Sequence, residues 1–185
     1  LLAWRRNALW TDPIALYEEN LRVAPDNERV WFNLGNLYLQ VGMLEEGERL
    51  IRESIAMNPA RHFGYLSLKE LYLAQERYDE AIGMLQYGID HVSDKNPLYI
   101  ELAFVYGKTG DFPKAIEMLR RGIAADPAVP ATYFNLAQML MFVDDWKGVE
   151  ENLRKTLELD PRHEEARAML DELLGGGTPL RPAQK

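Results

Sequence analysis

Hydrophobic and aromatic residues recur along this chain with a period of 34 residues. Within one period, Trp31, Leu34 and Tyr38 fall at i, i+3 and i+7, which places them on one face of a helix. The columns at this spacing are Trp31, Tyr65, Tyr99 and Tyr133; Leu34, Leu68, Leu102 and Leu136; Gly35, Lys69, Ala103 and Ala137; Tyr38, Tyr72, Tyr106 and Leu140; Gly47, Ala81, Ala115 and Val149; and Ile51, Leu85, Leu119 and Leu153. Columns that keep one register without an insertion predict tandem copies of a single structural unit.

Each unit is predicted to form two helices. Gly42, Gly110 and the Asp144–Asp145 pair interrupt the pattern after the first helix. The second helix ends at a proline, because proline cannot continue a helix. The prolines are Pro25, Pro59, Pro127 and Pro161, and Ser93 fills the missing place. Small residues at 35, 103 and 137 are expected to let the paired helices approach closely.

This pattern of aromatic, Leu, small and Tyr positions, followed by small and proline columns, resembles the tetratricopeptide repeat (TPR). The resemblance implies an all-α, right-handed superhelical solenoid of antiparallel helix pairs. The predicted segments are an N-terminal segment and half-repeat (1–27), repeats 28–61, 62–95, 96–129 and 130–163, a C-terminal capping helix (164–174) and a disordered tail (175–185). In the second repeat, Lys69 stands at a small-residue position and Ser93 replaces the proline, so we expect an altered turn or a local change of curvature there.

Composition narrows the class of partner. The 185 residues are 47% hydrophobic and 27% charged, which is typical of a globular chain. A formal net charge of -8 disfavours binding to a phosphate backbone, so no nucleic-acid partner is expected. The chain has no cysteine, which excludes disulfides and thiol chemistry. No window approaches the roughly 20 apolar residues of a membrane-spanning helix, so no direct membrane insertion of this stretch is expected.

Catalytic chemistry finds little support in the sequence. The histidines at 62, 91 and 163 have no His or Cys partner at a zinc-ligand spacing. The position of His163 at the start of a helix favours a helix cap over a metal ligand. The Gly175–Gly177 run lacks the preceding strand and following Lys-Ser/Thr of a phosphate loop. We therefore predict no enzyme activity, no cofactor and no metal site.

The resemblance implies that function lies on the first helix of each repeat, whose second, fifth, sixth, ninth, twelfth and thirteenth residues line a concave groove. The candidate protein-binding residues are Arg29, Phe32, Asn33, Asn36 and Gln40; Phe63, Leu66, Ser67 and Glu70; Ile100, Glu101, Phe104 and Lys108; and Phe134, Asn135, Gln138, Met141 and Phe142. The apolar members could bury partner side chains, and the amides could bond a peptide backbone. The alternative for each apolar residue is packing against a neighbouring repeat.

Three further inferences refine this surface. The aromatic column that begins at Trp31 could form a stacking platform for bases or sugars, but its helical spacing with the leucine column indicates that these residues pack in the core.

The asparagines at the sixth position, Asn33 and Asn135, resemble the asparagine ladder that holds the peptide backbone in O-GlcNAc transferase repeats. Ser67 and Glu101 interrupt this ladder. Chaperone-binding relatives carry Lys at the fifth position of their first repeat. This chain has Phe32 there, so binding of chaperone tails is not expected.

The N-terminal stretch leaves two interpretations open. Arg5-Arg6-Asn7, Trp10 and Leu16-Tyr17 resemble the junction before the TPR region of polytopic membrane glycosyltransferase-like proteins. In that reading Leu1–Trp4 ends a spanning helix, and the repeats form a soluble, extracytoplasmic appendage. The arginine pair alone would instead suggest the cytoplasmic side, and an ordinary half-repeat explains the stretch equally well. The localisation therefore stays unknown.

The function predicted from the sequence is a protein–protein interaction scaffold that binds a peptide or protein segment in the concave groove. One alternative is a regulatory or substrate-recruiting domain of a membrane glycosyltransferase-like protein. Another is a self-association module that forms a homodimer through Trp4 and Trp10.

Overall fold

The computed structural model describes residues 12–175, and this part of the chain contains ten α-helices and no β-strand. The all-α class is thereby confirmed. The helices are α1 (Pro13–Val23), α2 (Glu28–Gln40), α3 (Leu44–Met57), α4 (Phe63–Ala74), α5 (Tyr78–His91), α6 (Asn96–Lys108), α7 (Phe112–Ala125), α8 (Pro130–Met141), α9 (Trp146–Leu159) and α10 (Glu164–Leu174). The predictions on Leu1–Trp4, Arg5–Arg6, Trp10 and residues 176–185 fall outside the described residues.

The helices belong to two compact units, one ending at Ser93 and the other beginning at Asp94. In the first unit, α2 packs on α3 and α4 packs on α5, while α1 contacts α2 and α3 contacts α4. The second unit repeats this scheme, because α6 packs on α7, α8 packs on α9 and α10 covers α9. Within each unit, consecutive helices thus pack against one another along the chain.

Several helices begin at a residue whose side chain caps the first turn. The Asp12 carboxylate accepts hydrogen bonds from the backbone N–H groups of Ile14 and Ala15 at 3.0 and 3.3 Å. Asp111 accepts from the N–H of Lys114, and Pro113 lies in the first turn of α7. His163 caps α10, since its Nδ1 accepts from the N–H of Ala166 at 3.3 Å. The interpretation of His163 as a cap is confirmed.

The aromatic column forms part of the repeat core. The Tyr65 hydroxyl donates to the carbonyl oxygen of Pro59 at 2.8 Å, and the Tyr133 hydroxyl donates to that of Pro127 at 3.0 Å. The Trp31 indole N–H donates to the Pro25 carbonyl at 2.7 Å in the same way. Each bond ties the start of one repeat to the end of the preceding helix. For Tyr65 and Tyr133 the core interpretation is confirmed, because both are buried, whereas Trp31 is half-buried.

Close helix packing in the first repeat depends on two glycines. A Cβ atom on Gly35 would lie 2.7 Å from Cγ1 of Ile51 and 3.0 Å from the carbonyl oxygen of Gly47. A Cβ on Gly47 would lie 2.8 Å from the carbonyl oxygen of Gly35. The backbones of α2 and α3 are therefore almost in contact, as the small-residue column predicts. In the second repeat Lys69 takes the place of Gly35; it is buried, and its ammonium pairs with Glu70 at 2.6 Å.

A buried polar cluster explains the glycine in the second helix of the third repeat. Asn96 donates from Nδ2 to the Gly122 carbonyl at 2.9 Å and accepts from the Thr132 hydroxyl at 3.0 Å. A Cβ on Gly122 would lie 3.1 Å from Cγ2 of Thr132. An alanine at 122 would therefore be in tight contact with the threonine methyl group, and the buried amide is satisfied.

A second network ties α3, α4 and α5 together in the first unit. The Tyr72 hydroxyl donates to Glu48 at 2.7 Å, and both Arg52 and Arg77 donate to the same carboxylate at 2.9 and 3.0 Å. The Arg77 guanidinium also lies 4.5 Å from the centre of the Tyr72 ring. Burial alone would raise the pKa of Glu48, but the hydrogen bonds from Tyr72, Arg77 and Arg52 outweigh burial and hold this pKa below its usual value. Burial, together with the bond to Glu48, raises the pKa of Tyr72.

The turn between the paired helices uses one left-handed residue in every repeat. Gly42 and Gly110 have φ of 82° and 79°, and Glu76 and Asp144 have φ of 57°. These four positions share the repeat spacing, so a non-glycine residue occupies a left-handed conformation in the second and fourth repeats. Glu76 is not itself a turn-favouring residue, so only its spacing of 34 residues from Gly42 and from Gly110 marks it as a turn position.

Replacing Gly110 by alanine is expected to lower the free energy of unfolding by about 1 kcal/mol, because a Cβ disfavours φ of 79°. No atom lies within 4 Å of the added Cβ, so the effect is one of backbone conformation alone. Gly83 is the matched control: it lies inside α5 with open space around it, and Gly83→Ala is expected to stabilise by about 1 kcal/mol. Urea unfolding measures both. Equal shifts in the same direction would contradict the left-handed turn.

Candidate functional site

The first helices of the first unit, α2 and α4, present most of their predicted groove residues to the surface. Arg29, Gln40, Phe63 and Glu70 are exposed, while Phe32, Asn33, Asn36, Leu66 and Ser67 are half-buried. Phe63 is the most notable apolar member, since 51% of its surface is exposed. A phenylalanine exposed to this degree is a candidate contact for a partner.

Phe32, His62 and Phe63 form a cluster that we term the aromatic patch. The ring centres of Phe32 and Phe63 are 6.3 Å apart, and those of His62 and Phe63 are 4.2 Å apart. Phe32 comes from α2, whereas His62 and Phe63 stand at the start of α4. The patch therefore joins two consecutive repeats within one unit.

A shallow pocket lies beside the aromatic patch. It is lined by Phe32 and Phe63 together with Glu28, Ser54, Ile55, Asn58, Arg61 and Gly64. Gly64 allows this arrangement, because a Cβ there would lie 2.6 Å from Cγ1 of Ile55. At the rim, the Arg61 guanidinium donates to the Glu28 carboxylate. The pocket thus combines apolar walls with a partly exposed ion pair.

The two asparagines of α2 are held in place by internal hydrogen bonds. Asn33 donates from Nδ2 to the Tyr17 hydroxyl of α1 at 3.2 Å, and Asn36 donates from Nδ2 to the Phe32 carbonyl at 2.9 Å. Each amide has a second N–H and an oxygen beyond these bonds. Because their side chains are already ordered, binding through these remaining groups costs less conformational entropy.

In the second unit, α6 and α8 present a different set. Phe104 is 46% exposed, and the Lys108 ammonium lies 5.5 Å from the centre of its ring. Ile100, Glu101, Asn135, Gln138 and Phe142 are half-buried, and Lys108 is exposed. The Phe142 ring stacks on Phe112 with centres 4.4 Å apart and planes 5° apart. One face of the Phe142 ring is therefore covered by Phe112.

Two predicted groove residues of this unit require correction. Met141 is fully buried, and Phe134 is only 8% exposed. The Phe134 ring packs against His163 with centres 4.5 Å apart, at the residue that caps α10. Both side chains are covered by the packing of their own unit, so they belong to the core in this structure rather than to a binding surface.

Two residues here were not predicted from the sequence: His62, which belongs to the aromatic patch, and Arg61, which lines the pocket beside it. Neither stands at a groove position of the family, so the resemblance gave no reason to select them. Adjacency offers a signal for one of them, because an aromatic residue directly follows His62 at a predicted groove position. Arg61 is placed by its ion pair with Glu28 in the preceding repeat, which no local pattern encodes.

The described residues hold no cluster of three or more His, Asp or Glu side chains suited to a metal ion. In the same part of the chain, none of the helices combines the length and apolarity that crossing a bilayer requires.

Comparison with known proteins identifies the class. Sequence models described as tetratricopeptide repeat match residues 28–61 and 72–142. These two ranges together span more than half of the chain, which belongs to the tetratricopeptide repeat family. TPR proteins are protein-interaction scaffolds, and the repeat is a non-enzymatic scaffold fold. No curated protein matches the sequence significantly.

Solved TPR structures share the fold at low sequence identity. YrrB, described as a TPR protein with an unusual peptide-binding site, is 17% identical with a TM-score of 0.63 over 86% of this chain and 82% of its own. MamA is 20% identical with a TM-score of 0.68 over 87% and 94%. The first TPR of Spaghetti (RPAP3), solved with the HSP90 peptide SRMEEVD, is 19% identical with a TM-score of 0.58 over 64% and 97%.

Proposed function

We propose that this protein binds an extended peptide or protein segment on the surface formed by its first helices, in the groove that the TPR resemblance implies. The observation that carries the proposal is the aromatic patch, in which Phe63 is 51% exposed beside Phe32 and His62. Burying apolar surface contributes roughly 25 cal/mol per Å², so such a patch favours association. YrrB and the Spaghetti domain support the peptide class of partner.

The amides supply the second half of the interaction. An extended segment leaves its own N–H and C=O groups unpaired, and a side-chain amide can both donate to and accept from them. Asn36 on α2 is the ninth residue of its repeat, Asn135 on α8 is the sixth residue of its repeat, and both side chains are half-buried. In each unit, therefore, a half-buried amide lies on a first helix, and the amide of Asn36 is also ordered by its bond to Phe32.

The chemistry argues against a chaperone tail as the partner. The Spaghetti domain was solved with an HSP90 peptide, but this chain has Phe32 where chaperone-binding relatives carry lysine. Replacing a cation by an aromatic ring removes the charge-assisted bond to a terminal carboxylate. The proposed partner is therefore an internal segment with apolar side chains.

Selection from a random phage-displayed peptide library tests this function directly. The unaltered protein is expected to enrich a set of related peptides, and Asn36→Ala/Asn135→Ala is expected to weaken their binding about tenfold through lost backbone bonds. Asn152→Ala is the matched control, because Asn152 on α9 donates to Gly148 O at 2.8 Å just as Asn36 donates to Phe32 O. Peptides that bind all three proteins equally, or no enrichment at all, would overturn the proposal.

A further inference from the structure

We infer that the aromatic patch of the first unit selects a segment in which a large apolar side chain is flanked by carboxylates. This inference rests on the proposed function and specifies its partner chemistry. Its basis is one shallow pocket lined by Phe32, Phe63 and Arg61. His62 packs on Phe63, and Arg29 lies one helical turn before Phe32 on α2.

The apolar half of the recognition comes from the two phenylalanines. Phe63 is half-exposed, and its ring packs against both Phe32 and His62. With these neighbours the ring is already positioned, so contact with a partner side chain orders little else. The floor beside it is Ile55, which is only 6% exposed. A leucine or phenylalanine laid across Phe63 would bury apolar surface on both sides.

The charged half comes from the arginines. Arg29 lies three residues before Phe32 on α2, which puts both on the same side of the helix, and Arg29 is exposed. Arg61 lines the pocket with Phe32 and is 34% exposed while paired with Glu28. The two arginines and one glutamate leave a local formal charge of +1. Arg61 is neutralised by Glu28, so the excess positive charge beside the patch is that of Arg29, in a chain whose net charge is -8.

The net negative charge of the chain does not cancel the preference of these arginines for a carboxylate. At physiological ionic strength, charges separated by more than about 8 Å are largely screened, so the groups within contact distance decide the sign. An arginine also has the planar donor geometry that suits a carboxylate. A basic segment would meet Arg29 unfavourably and would have to compete with Arg61 for Glu28.

Three fluorescein-labelled 12-residue peptides test the inference by fluorescence anisotropy at 0.15 M salt. The acidic probe carries one central Phe between Glu residues in a Gly/Ser background. The second probe replaces that Phe by Ser, and the third replaces each Glu by Lys. The unaltered protein is expected to bind the acidic Phe probe at least tenfold more tightly than either of the others.

Two variants locate the binding. Phe63→Ala and Arg29→Glu are each expected to weaken the acidic Phe probe at least tenfold. Tyr87→Ala is the matched control for Phe63, since Tyr87 is 47% exposed on α5 and also stacks on a histidine, with ring centres 4.1 Å apart. Arg22→Glu is the control for Arg29. Both controls are expected to stay within twofold, and urea midpoints verify that every variant is folded.

The outcomes separate this inference from the proposed function. If the library selection yields peptides that depend on Asn36 and Asn135 but the basic or Ser probe binds as well as the acidic Phe probe, the inferred chemistry is wrong and the function stands. If Phe63→Ala and Tyr87→Ala behave alike, the aromatic patch is not the contact. Absence of binding by the acidic Phe probe overturns the inference, and failure of the library selection as well overturns both.

Discussion

Gly35→Ala is expected to lower the free energy of unfolding by about 3 kcal/mol, the largest effect that we expect of a single methyl group in this chain. The added Cβ would lie 2.7 Å from Cγ1 of Ile51 and 3.0 Å from the Gly47 carbonyl. The isoleucine has few ways to yield because it is fully buried, and the Gly47 carbonyl belongs to the backbone of α3. The two helices must therefore move apart.

A double-mutant cycle distinguishes this clash from a general loss of stability. Ile51→Ala alone should cost about 2–5 kcal/mol through the cavity that it leaves. In Gly35→Ala/Ile51→Ala the new methyl meets a smaller side chain, so the combined loss should be less than the sum of the two single losses. Chemical unfolding measures all three variants. Additive losses would contradict the close approach of α2 and α3.

Glu48→Gln is expected to lower the free energy of unfolding by about 2 kcal/mol at pH 7, because it removes the charge that accepts from Tyr72, Arg52 and Arg77. The side chain of Glu48 is only 17% exposed, so water replaces those bonds poorly. The pH dependence follows from the lowered pKa of Glu48. A carboxyl whose pKa is lower in the folded state stabilises above its ordinary value of 4.5, and this contribution is lost as pH falls through the folded-state pKa.

The difference between the unaltered protein and Glu48→Gln should therefore shrink as pH falls below about 4.5. Glu150→Gln is the matched control: Glu150 pairs with Arg154 at the same i,i+4 spacing as Glu48 with Arg52, but both partners are more exposed. We expect it to cost less than about 0.5 kcal/mol. Urea unfolding between pH 3 and pH 7 measures both variants. A constant difference across that range would contradict the role of the charge.

The repeat columns carry most of the fold because each encodes a local packing rule. The leucine column fixes the buried side of the first helices, and the proline column marks where a helix must end. The structure also links the aromatic column to the proline column, since Tyr65 and Tyr133 each donate a hydrogen bond to the carbonyl of the proline six residues earlier. Two sequence positions that look independent are thus joined by one hydrogen bond.

The surface was harder to predict than the fold. The family pattern shows which side of a first helix faces away from its partner helix, but it does not show what the next element covers. Phe134 is covered by His163, and Phe63 is not covered to that extent, although both are aromatic residues at groove positions. The residue type of Glu76 gives no signal for its left-handed conformation either, and only its spacing of 34 residues from Gly42 and from Gly110 does so.

The most direct test of binding through the first helices is photo-crosslinking with a selected library peptide that carries a diazirine side chain, followed by mass spectrometry. Binding as proposed predicts adducts on α2, α4, α6 or α8, with Phe63 and its neighbours prominent when the diazirine replaces the apolar side chain. Adducts confined to the second helices α3, α5, α7 and α9 would contradict it.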